Sequence, residues 1–250
     1  MADVTQPDML TSLPAADTLL YAVGFDRSSG KSMREIYVQG LQNVLDALAK
    51  QAELRRVIYI STTGVYGPAE GDVDETSPCE PTREGGQVCL AAERLLTQHA
   101  LGKRSIILRL AGIYGPGRVP NRASLLAGEP IVAAAESRLN LIHVDDAVAT
   151  VLAAQRQAKP PALYLVADGS PPTRRDYYQE GARRIGAPQP TLMEPEAADE
   201  ASSGGSPSRS ARAHDASAKR IANAKMLREL GVTLTYPTFR EGLSHALQTP

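Results

Sequence analysis

Hydroxyl-bearing side chains follow directly after a short apolar run near residue 60. The run Val57–Ile60 has the continuous apolar character of a strand buried on both faces of a parallel sheet. Ser61, Thr62 and Thr63 come next, and Tyr66 follows. Ligands of open α/β sheets bind just outside the carboxyl ends of the strands, so these hydroxyls are candidates to position or protonate a substrate oxygen. Serine and threonine also end strands as ordinary turn formers, and these residues alone leave both interpretations open.

Two further segments place small, aromatic and acidic residues downstream of this one. Ser61–Gly67 reads STTGVYG, Arg109–Gly117 reads RLAGIYGPG and Leu141–Val148 reads LIHVDDAV. Each segment alone is a weak signal, whereas the three in this order are a strong one. Together they resemble the extended short-chain dehydrogenase/reductase family, also called the NAD-dependent epimerase/dehydratase family. The resemblance covers nearly the whole chain outside residues 194–217.

Alternating strand and helix patterns surround these segments. Apolar runs predict strands over Asp17–Gly24, Val57–Ile60 and Ser105–Leu110, and apolar residues at helical spacing predict helices over Ser32–Lys50 and Gly86–His99. This alternation indicates a parallel sheet with right-handed crossovers and helices on both faces. The predicted fold class is α/β: a Rossmann-like doubly wound parallel sheet, N-terminally incomplete, with a small C-terminal α/β substrate lobe.

The alternation of strand and helix patterns is weaker after Gly117. We divide the chain into a partial dinucleotide-binding domain, residues 1–117, and a mainly substrate-binding lobe, residues 118–250, from which some segments return to the main sheet. Residues 194–217 are rich in Ala, Ser, Gly and charge without apolar periodicity, which predicts disorder. The other predicted elements are strands over Leu139–Val144 and Leu163–Val166, and helices over Arg122–Ala127, Asp145–Ala154, Thr173–Ile185, Ala218–Leu230 and Thr238–Leu247.

The beginning of the chain lacks a motif that the resemblance leads us to expect. Dinucleotide-binding domains open with a strand and a glycine-rich turn that admits the pyrophosphate to a helix N-terminus, and no such turn precedes Asp17. Aligned on the family, Asp17–Gly24 matches the fourth strand and Asp3-Val4 matches the end of the third. About two βα units are therefore expected to be missing, which would leave Leu19–Val23 as an unpaired, apolar sheet edge.

Two explanations of this missing portion stay open. The chain is a fragment of a longer protein, or it is a degenerate family member that no longer holds a dinucleotide well. We favour the fragment, because the rest of the sequence is locally consistent with the fold.

The resemblance implies a nicotinamide cofactor, NAD or NADP, and a small-molecule substrate such as a nucleotide sugar. The residue that selects between the two cofactors follows the family's second strand, which this chain lacks. The implied catalytic hydroxyl is Thr62, with Tyr66 as an alternative phenol donor. The implied substrate-side residues are Thr63, Arg118 and His143. The implied cofactor contacts are Asp3, Val4, Ala22, Val23, Gly24, Ser61, Thr62, Ala111, Gly112 and Ile113.

The second half of the family's catalytic machinery is missing. Family enzymes combine the Ser or Thr with a Tyr-x-x-x-Lys motif, in which Tyr is the acid/base and Lys lowers its pKa. Aligned on Glu93, the Tyr position falls on Gly85 and the Lys position on Cys89. Glycine has no proton to give, and a thiol supplies no permanent positive charge. The sequence therefore leaves two functions open. We favour an epimerase, dehydratase or reductase with a modified active site; the alternative is a non-catalytic NAD(P)-binding sensor or scaffold.

The composition argues against several other classes of protein. The net charge of −1 argues against a nucleic-acid partner, and no apolar run is long enough to span a bilayer. The N-terminus has no signal-peptide pattern, so a cytoplasmic location is expected. Two cysteines are too few for a disulfide framework or a zinc site.

The sequence also leads to expectations about metal binding and about the oligomeric state. His143 has no second His or Cys at ligand spacing, so no metal is predicted. Many family members dimerise through the helices that flank the middle strand, which here are Ser32–Lys50 and Gly86–His99. A homodimer is therefore expected, by analogy alone.

Overall fold

Short strands and helices alternate along the chain, and the longest strands form one parallel sheet. The computed structural model describes residues 2–49, 51–194 and 218–248. The strands are β1 (Thr18–Tyr21), β2 (Arg56–Thr62), β3 (Asp72–Val73), β4 (Ser105–Leu110), β5 (Gly112–Tyr114), β6 (Ile131–Val132), β7 (Leu141–His143), β8 (Ala162–Val166), β9 (Leu192–Met193) and β10 (Arg220–Ile221). The helices are α1 (Gly40–Leu48), which continues a π-helical turn (Glu35–Gln39), α2 (Glu84–Gln98), α3 (Arg122–Ala127), α4 (Val144–Gln157), α5 (Arg174–Ile185), α6 (Ala224–Leu230) and α7 (Phe239–Gln248). Within the described ranges, none of these helices has the length and apolar character needed to cross a bilayer.

The main sheet has the strand order β1-β2-β4-β8, and each neighbouring pair is parallel. Helices α1, α2 and α4 lie between its consecutive strands along the chain, because parallel neighbours need a crossover connection. The predicted α/β class with a parallel sheet is confirmed. The fourth strand, β8, comes from the C-terminal half of the chain.

Strand β2 is covered on both faces of the sheet, which explains its continuous apolar run. Val57 and Tyr59 pack on one face with α1 and α2, while Ile58 packs on the other with α4 and α6. Successive side chains of a strand point to opposite faces, so a strand with helices on both sides needs apolar residues at every position.

A second group of elements begins directly beyond the carboxyl end of β4. It consists of α3, α5 and α7 with the parallel pairs β5–β7 and β6–β9, and we call it the C-terminal lobe. Its core contains Tyr114, Tyr177 and Phe239, all buried. Because β5 starts two residues after β4 ends, the lobe is attached at the edge of the sheet where ligands of this fold class bind.

The helix predicted over Ala218–Leu230 is wrong in its first part. Arg220–Ile221 forms β10, which pairs in parallel with Asp72–Val73, and the helix begins at Ala224. The backbone N–H of Ile221 also donates to Oδ1 of Asn140 at 2.8 Å. These contacts join distant parts of the chain, and such tertiary context overrides a local helix preference.

The chain before β1 forms no strand among the described residues. Asp3 lies in a turn, where its carboxylate accepts hydrogen bonds from the backbone N–H and the hydroxyl of Thr5, both at 2.8 Å. Asp3 and Val4 are therefore not part of a strand in the structure, and their alignment with the end of the family's third strand stays a prediction. In the described part of the chain β1 has a single neighbour, β2, and Leu20 on it is 47% exposed, in agreement with the predicted open edge.

The stretch predicted to be disordered, 194–217, lies outside the described residues except for Glu194. The carboxylate of Glu194 accepts a hydrogen bond from the backbone N–H of Ala135 at 3.3 Å. For residues 195–217, disorder stays a prediction.

Candidate functional site

A cavity of about 870 Å³ opens at the carboxyl ends of β2 and β4. Thr62 and Thr63 line it from β2 and the turn that follows, and Gly112 lines it from β5. Helix α2 contributes Gly85 and Cys89. The strand-end hydroxyls thus share one cavity with the segment that follows β4, because the carboxyl ends of parallel strands meet at one edge of a sheet. Other lining residues are Met33, Tyr37, Gly64, Gly67, Thr82, Arg83, Glu84, Gly86, Arg138, Leu139, Asn140, Arg174 and Lys219.

The side chain of Thr62 is held by the turn that follows it. Its Oγ1 accepts the backbone N–H of Gly64 at 3.0 Å, and a short 3₁₀ turn, Thr63–Tyr66, comes next. A β-carbon on Gly64 would lie 3.3 Å from this oxygen, so little space remains beside it. A hydroxyl that accepts one hydrogen bond still has its proton to donate, and Thr62 lines the cavity.

A buried polar network lies behind the hydroxyl-bearing turn. Ser61 Oγ donates to Glu93 Oε1 at 2.5 Å, and Arg109 Nη1 donates to the hydroxyl of Tyr66 at 2.7 Å. That hydroxyl donates in turn to the backbone oxygen of Asp74 at 2.9 Å. Burial raises the pKa of Tyr66 to about 12, although the neighbouring Arg109 opposes this. The structure thus places Ser61 and Tyr66 in the supporting network and not in the cavity wall.

Two glycines let this turn and the start of α2 approach each other closely. Gly67 has a φ of +60°, a backbone conformation that favours glycine. A β-carbon there would also overlap the carbonyl group of Glu80. A β-carbon on Gly86 would lie 2.6 Å from the carbonyl oxygen of Gly64. The first turn of α2 is therefore packed against the turn that carries the hydroxyls.

The cavity is lined by more basic than acidic side chains. Its basic residues are Arg83, Arg138, Arg174 and Lys219, while Glu84 is the one acidic residue among the lining residues that the structure describes. The whole chain carries a net charge of −1, so this is a local concentration of positive charge. A cleft lined by one sign of charge raises the local concentration of oppositely charged ligands, which here would be anions.

The predicted cofactor residues next to β1 lie outside the cavity wall. Ala22 and Gly24 follow β1 and are exposed, and a β-carbon on Gly24 would meet no atom within 4 Å. Val4 and Val23 instead line an apolar groove along the free edge of β1. Neither these four residues nor Asp3 lines the cavity.

Of the residues predicted after β4, Gly112 lines the cavity and its neighbours do not. Ala111 is buried, and its backbone N–H donates to the backbone oxygen of Val166 at 2.9 Å. Ile113 packs against the core on the α4 side of the sheet. Arg118 is exposed and forms an antiparallel bridge with Gly115, so its side chain, predicted to face the substrate, is not part of the cavity wall.

His143 is buried at the start of α4, away from the cavity wall. Its Nδ1 accepts the backbone N–H of Asp145 at 3.2 Å, so the side chain of His143 caps α4. The carboxylate of Asp146 accepts from the backbone N–H groups of Thr235 and Tyr236. The Tyr236 ring lies against His143, with 3.9 Å between the ring centroids. The substrate-side role of His143 stays a prediction.

His143 also meets a second histidine that is distant in sequence. Its Nε2 lies 3.3 Å from Nδ1 of His245, 102 positions away, and Asp145 completes a group whose possible ligand atoms lie within 4.8 Å of one another. Burial lowers the pKa of His143, although Asp145 opposes this. A neutral ring that accepts a hydrogen bond at Nδ1 carries its proton on Nε2. The contact with His245 is then a hydrogen bond, and this tautomer opposes metal ligation through Nε2.

Sequence comparison assigns the chain to a family. A sequence model of the NAD dependent epimerase/dehydratase family matches residues 2–167. The chain belongs to the NAD-dependent epimerase/dehydratase family. Protein YeeZ of Escherichia coli (strain K12) is 34% identical over 188 residues, which are 75% of this chain and 66% of YeeZ. The chain therefore spans just under two thirds of the length of this curated relative.

Solved structures of similar shape agree with this family. A Methylobacillus flagellatus protein described as an NAD-dependent epimerase/dehydratase is 32% identical, with a TM-score of 0.76 over 99% of this chain and 82% of its own. RMD from Pseudomonas aeruginosa, solved in complex with NADPH, is 19% identical, with a TM-score of 0.79 over 100% of this chain and 86% of its own. At that identity the second similarity supports the shared fold alone.

Two residues that the resemblance aligns with the Tyr-x-x-x-Lys motif of the epimerase/dehydratase family border the cavity. Gly85 and Cys89 both line it, one helical turn apart on α2. A β-carbon on Gly85 would meet no atom within 4 Å. Burial raises the pKa of the Cys89 thiol to about 11, so it stays protonated near neutral pH and is a poor nucleophile.

Sequence reasoning missed the basic side chains that line the cavity. Arg138, Arg174 and Lys219 reach it from three separate segments after Gly117. No local pattern marks them, since single basic residues in such segments are usually solvated charges. Asn140 directly precedes the LIHVDDAV segment, and that proximity was the one available signal.

Proposed function

We propose that the protein is an NAD(P)-dependent enzyme of the extended short-chain dehydrogenase/reductase type, with a modified active site. It would act as an epimerase, dehydratase or reductase on a small anionic molecule such as a nucleotide sugar. The observation that carries this proposal is the cavity at the strand ends, where the hydroxyl of Thr62 shares one space with Gly112 and four basic side chains.

The residues at the strand ends fit one part of a nicotinamide dinucleotide. Such a cofactor, when bound, supplies hydride exchange with a substrate carbon. A β-carbon on Gly112 would lie 3.1 Å from the backbone oxygen of Asn140, so a side chain here would be crowded by the segment that leads into β7. The described residues contain no glycine-rich turn before β1, so we assign to Thr62 and Gly112 the nicotinamide end and assign no residue to the pyrophosphate.

Thr62 and the basic side chains would have different roles in this function. The Thr62 proton would be donated to the reacting oxygen of the substrate, while the turn through Gly64 N–H fixes the direction of the hydroxyl. The positive charge would attract the substrate anion. The Ser61–Glu93–Arg109 network would keep the end of β2 in place beneath them.

One observation favours a second function, a non-catalytic NAD(P)-binding sensor or scaffold. Gly85 and Cys89 border the cavity, the resemblance aligns them with the family's Tyr and Lys, and neither side chain supplies an acid/base near neutral pH. A protein with these residues could bind a dinucleotide and turn over no substrate.

Calorimetric titration of the full-length protein with NADH and NADPH, followed by turnover assays on nucleotide sugars, separates the two functions. For the enzyme we expect binding and turnover, with Thr62→Val slowing turnover about 100-fold or more. Thr97→Val is the matched control, because Thr97 is exposed on α2 outside the cavity wall. Binding without turnover of any nucleotide sugar would favour the sensor, and absence of binding to either dinucleotide would contradict both functions.

A further inference from the structure

A π-helical turn before α1 carries Tyr37. The turn, Glu35–Gln39, is held by β1, because the buried hydroxyl of Tyr21 donates to the backbone oxygen of Ile36 at 2.8 Å. A β-carbon on Gly40, the residue after the turn, would lie 3.0 Å from the same hydroxyl. Single π-helical turns are frequent at functional sites, and this one is fixed in place by its contacts with β1.

The phenol of Tyr37 is anchored at the carboxyl end of β1. Its hydroxyl accepts the backbone N–H of Phe25, in the loop that follows β1, at 3.0 Å. A phenol that accepts one hydrogen bond keeps its own proton to donate. Tyr37 is half-buried and lines the cavity together with Thr62 at the end of β2. Because β1 and β2 are parallel neighbours, the two hydroxyl-bearing residues border the cavity at adjacent strand ends.

Few of the described residues that line the cavity can exchange a proton with a substrate. The Thr62 hydroxyl can hold a substrate oxygen, but the side chains that transfer protons are those of His, Asp, Glu, Lys, Tyr and Cys. Burial raises the pKa of the Cys89 thiol to about 11, and the ammonium group of Lys219 donates to a backbone oxygen. Glu84 is exposed on the first turn of α2. Tyr37 is the one tyrosine among these lining residues.

We propose that Tyr37 is the acid/base catalytic residue of this site, a proposal that rests on the proposed function. In the reducing direction, the phenolic proton of Tyr37 passes to the carbonyl oxygen of the substrate, while the carbonyl carbon gains a hydride from a reduced nicotinamide dinucleotide. The product is an alcohol, and the phenolate regains a proton from water. In the oxidising direction, the phenolate takes the alcohol proton and the hydride returns to the oxidised dinucleotide. Thr62 holds the reacting oxygen by a hydrogen bond in both directions.

Replacement of Tyr37 by 3-fluorotyrosine in the full-length protein tests this role with little change in shape. Fluorine makes the phenol a stronger acid, while the hydroxyl still accepts the N–H of Phe25. In the oxidising direction the rate rises with pH as the phenol ionises, so we expect this rise to move to lower pH. The charged side chains that share the cavity wall are unchanged in this protein: Arg83, Glu84, Arg138, Arg174 and Lys219. An unmoved pH–rate profile would overturn the proposal.

Tyr37→Phe removes the exchangeable proton and keeps the ring. We expect kcat to fall about 100-fold or more with little change in KM, because the hydroxyl acts in the chemical step. Tyr164→Phe is the matched control, since it breaks a 3.3 Å contact between the Tyr164 hydroxyl and Glu229 outside the cavity wall, and its kcat should not change. Equal kcat values in the two variants, or loss of the pH dependence in Glu84→Gln and not in Tyr37→Phe, would overturn the proposal.

Fluorine NMR tests the location of the phenol without turnover. Titration with UDP-glucose and dTDP-glucose should move the resonance of 3-fluorotyrosine at the Tyr37 position, while the same label in place of Tyr164 should give a resonance that does not move. Calorimetric binding of a nucleotide sugar with an unmoved resonance at Tyr37 would overturn the role of Tyr37 and leave the proposed function standing. Binding that moves the resonance without any turnover would overturn the catalytic role. Absence of both binding and turnover would overturn the proposed function, and the role of Tyr37 with it.

Discussion

The guanidinium group of Arg109 forms two hydrogen bonds with the carboxylate of Glu93, 2.9 Å from Nε to Oε1 and 2.6 Å from Nη2 to Oε2. Both side chains are buried. Burial opposes the charge on Arg109, but the hydrogen bonds and charge of Glu93 outweigh it and raise the pKa of Arg109. Because Ser61 donates to the same carboxylate, this pair connects β4 and α2 to the end of β2.

Glu93→Gln should strongly destabilise the protein. It leaves the guanidinium group of Arg109 buried without a counter-ion, and breaking a buried pair in this way costs about 3–5 kcal/mol. The free energy of unfolding from urea titration measures the loss. Glu136→Gln, which removes an exposed partner of Arg175, should cost less than about 1 kcal/mol. Similar losses of unfolding free energy in the two variants would show that the buried Arg109–Glu93 pair stabilises the protein no more than the exposed Arg175–Glu136 pair.

The double variant Gly85→Tyr/Cys89→Lys should increase turnover of a nucleotide sugar. Both positions border the cavity, and a β-carbon on Gly85 meets open space, so a phenol and an ammonium group can be added one helical turn apart. Since a positioned acid/base contributes about 100-fold or more, we expect a clear rise in the rate of NAD(P)-linked conversion.

Cys89→Lys alone is the control for that experiment, because it adds the charge without the phenol. It should leave turnover near the level of the unmodified protein. A double variant that binds NADH normally and shows no gain would mean that these positions do not reach the reacting atoms.

Gly242→Ala should destabilise the packing of α7 on the C-terminal lobe. A β-carbon on Gly242 would overlap the hydroxyl of buried Tyr114, and forced overpacking costs about 1–3 kcal/mol. Thermal and urea unfolding measure the change. Gly85→Ala is the matched helical control, since its β-carbon meets no atom within 4 Å, and it should be neutral or stabilising by up to about 1 kcal/mol. If Gly242→Ala unfolds at the same temperature and urea concentration as the unmodified protein, α7 lies farther from Tyr114 than in this structure.

Asp168 should make the protein less stable as the pH rises from about 4 to about 7. Burial, with smaller contributions from Asp146 and Glu241, raises the pKa of Asp168 to about 7, and its Oδ2 has no hydrogen-bond partner among the described residues. Below about pH 4 both states hold the proton. Between about 4 and 7 the unfolded state loses it while the folded state keeps it, which lowers the free energy of unfolding by up to roughly 4 kcal/mol.

Asp168→Asn removes this titration and should flatten that part of the pH dependence. Urea titrations at about pH 4.5 and 7.5 compare the variants across the window. Asp8→Asn, at an exposed position in a 3₁₀ turn, should retain the pH dependence of the unmodified protein. A slope that is the same in both variants would mean that another group is responsible.

The sequence alone predicted the central strands and several helices correctly, because these depend on local patterns. Val57–Ile60 and Ser105–Leu110 have the continuous apolar character that a strand covered on both faces requires. Helix α3 has the predicted bounds. The helix predicted from Thr173 to Ile185 is confirmed as α5, which Thr173 caps with its Oγ1 accepting the N–H of Asp176 at 3.0 Å; such a cap involves residues three positions apart.

The sequence also singled out Thr62, Thr63, Gly85 and Cys89, which the structure brings to one cavity, since each lies inside a recognisable segment. Only the tertiary structure decided what surrounds them. Lys219 reaches Gly67 across 152 positions, and His245 reaches His143 across 102. Periodicity and caps report on residues within a few turns of each other, whereas these contacts depend on how β10 and α7 pack against the rest of the chain. The charge of the cavity is therefore a property of the folded molecule that no single segment contains.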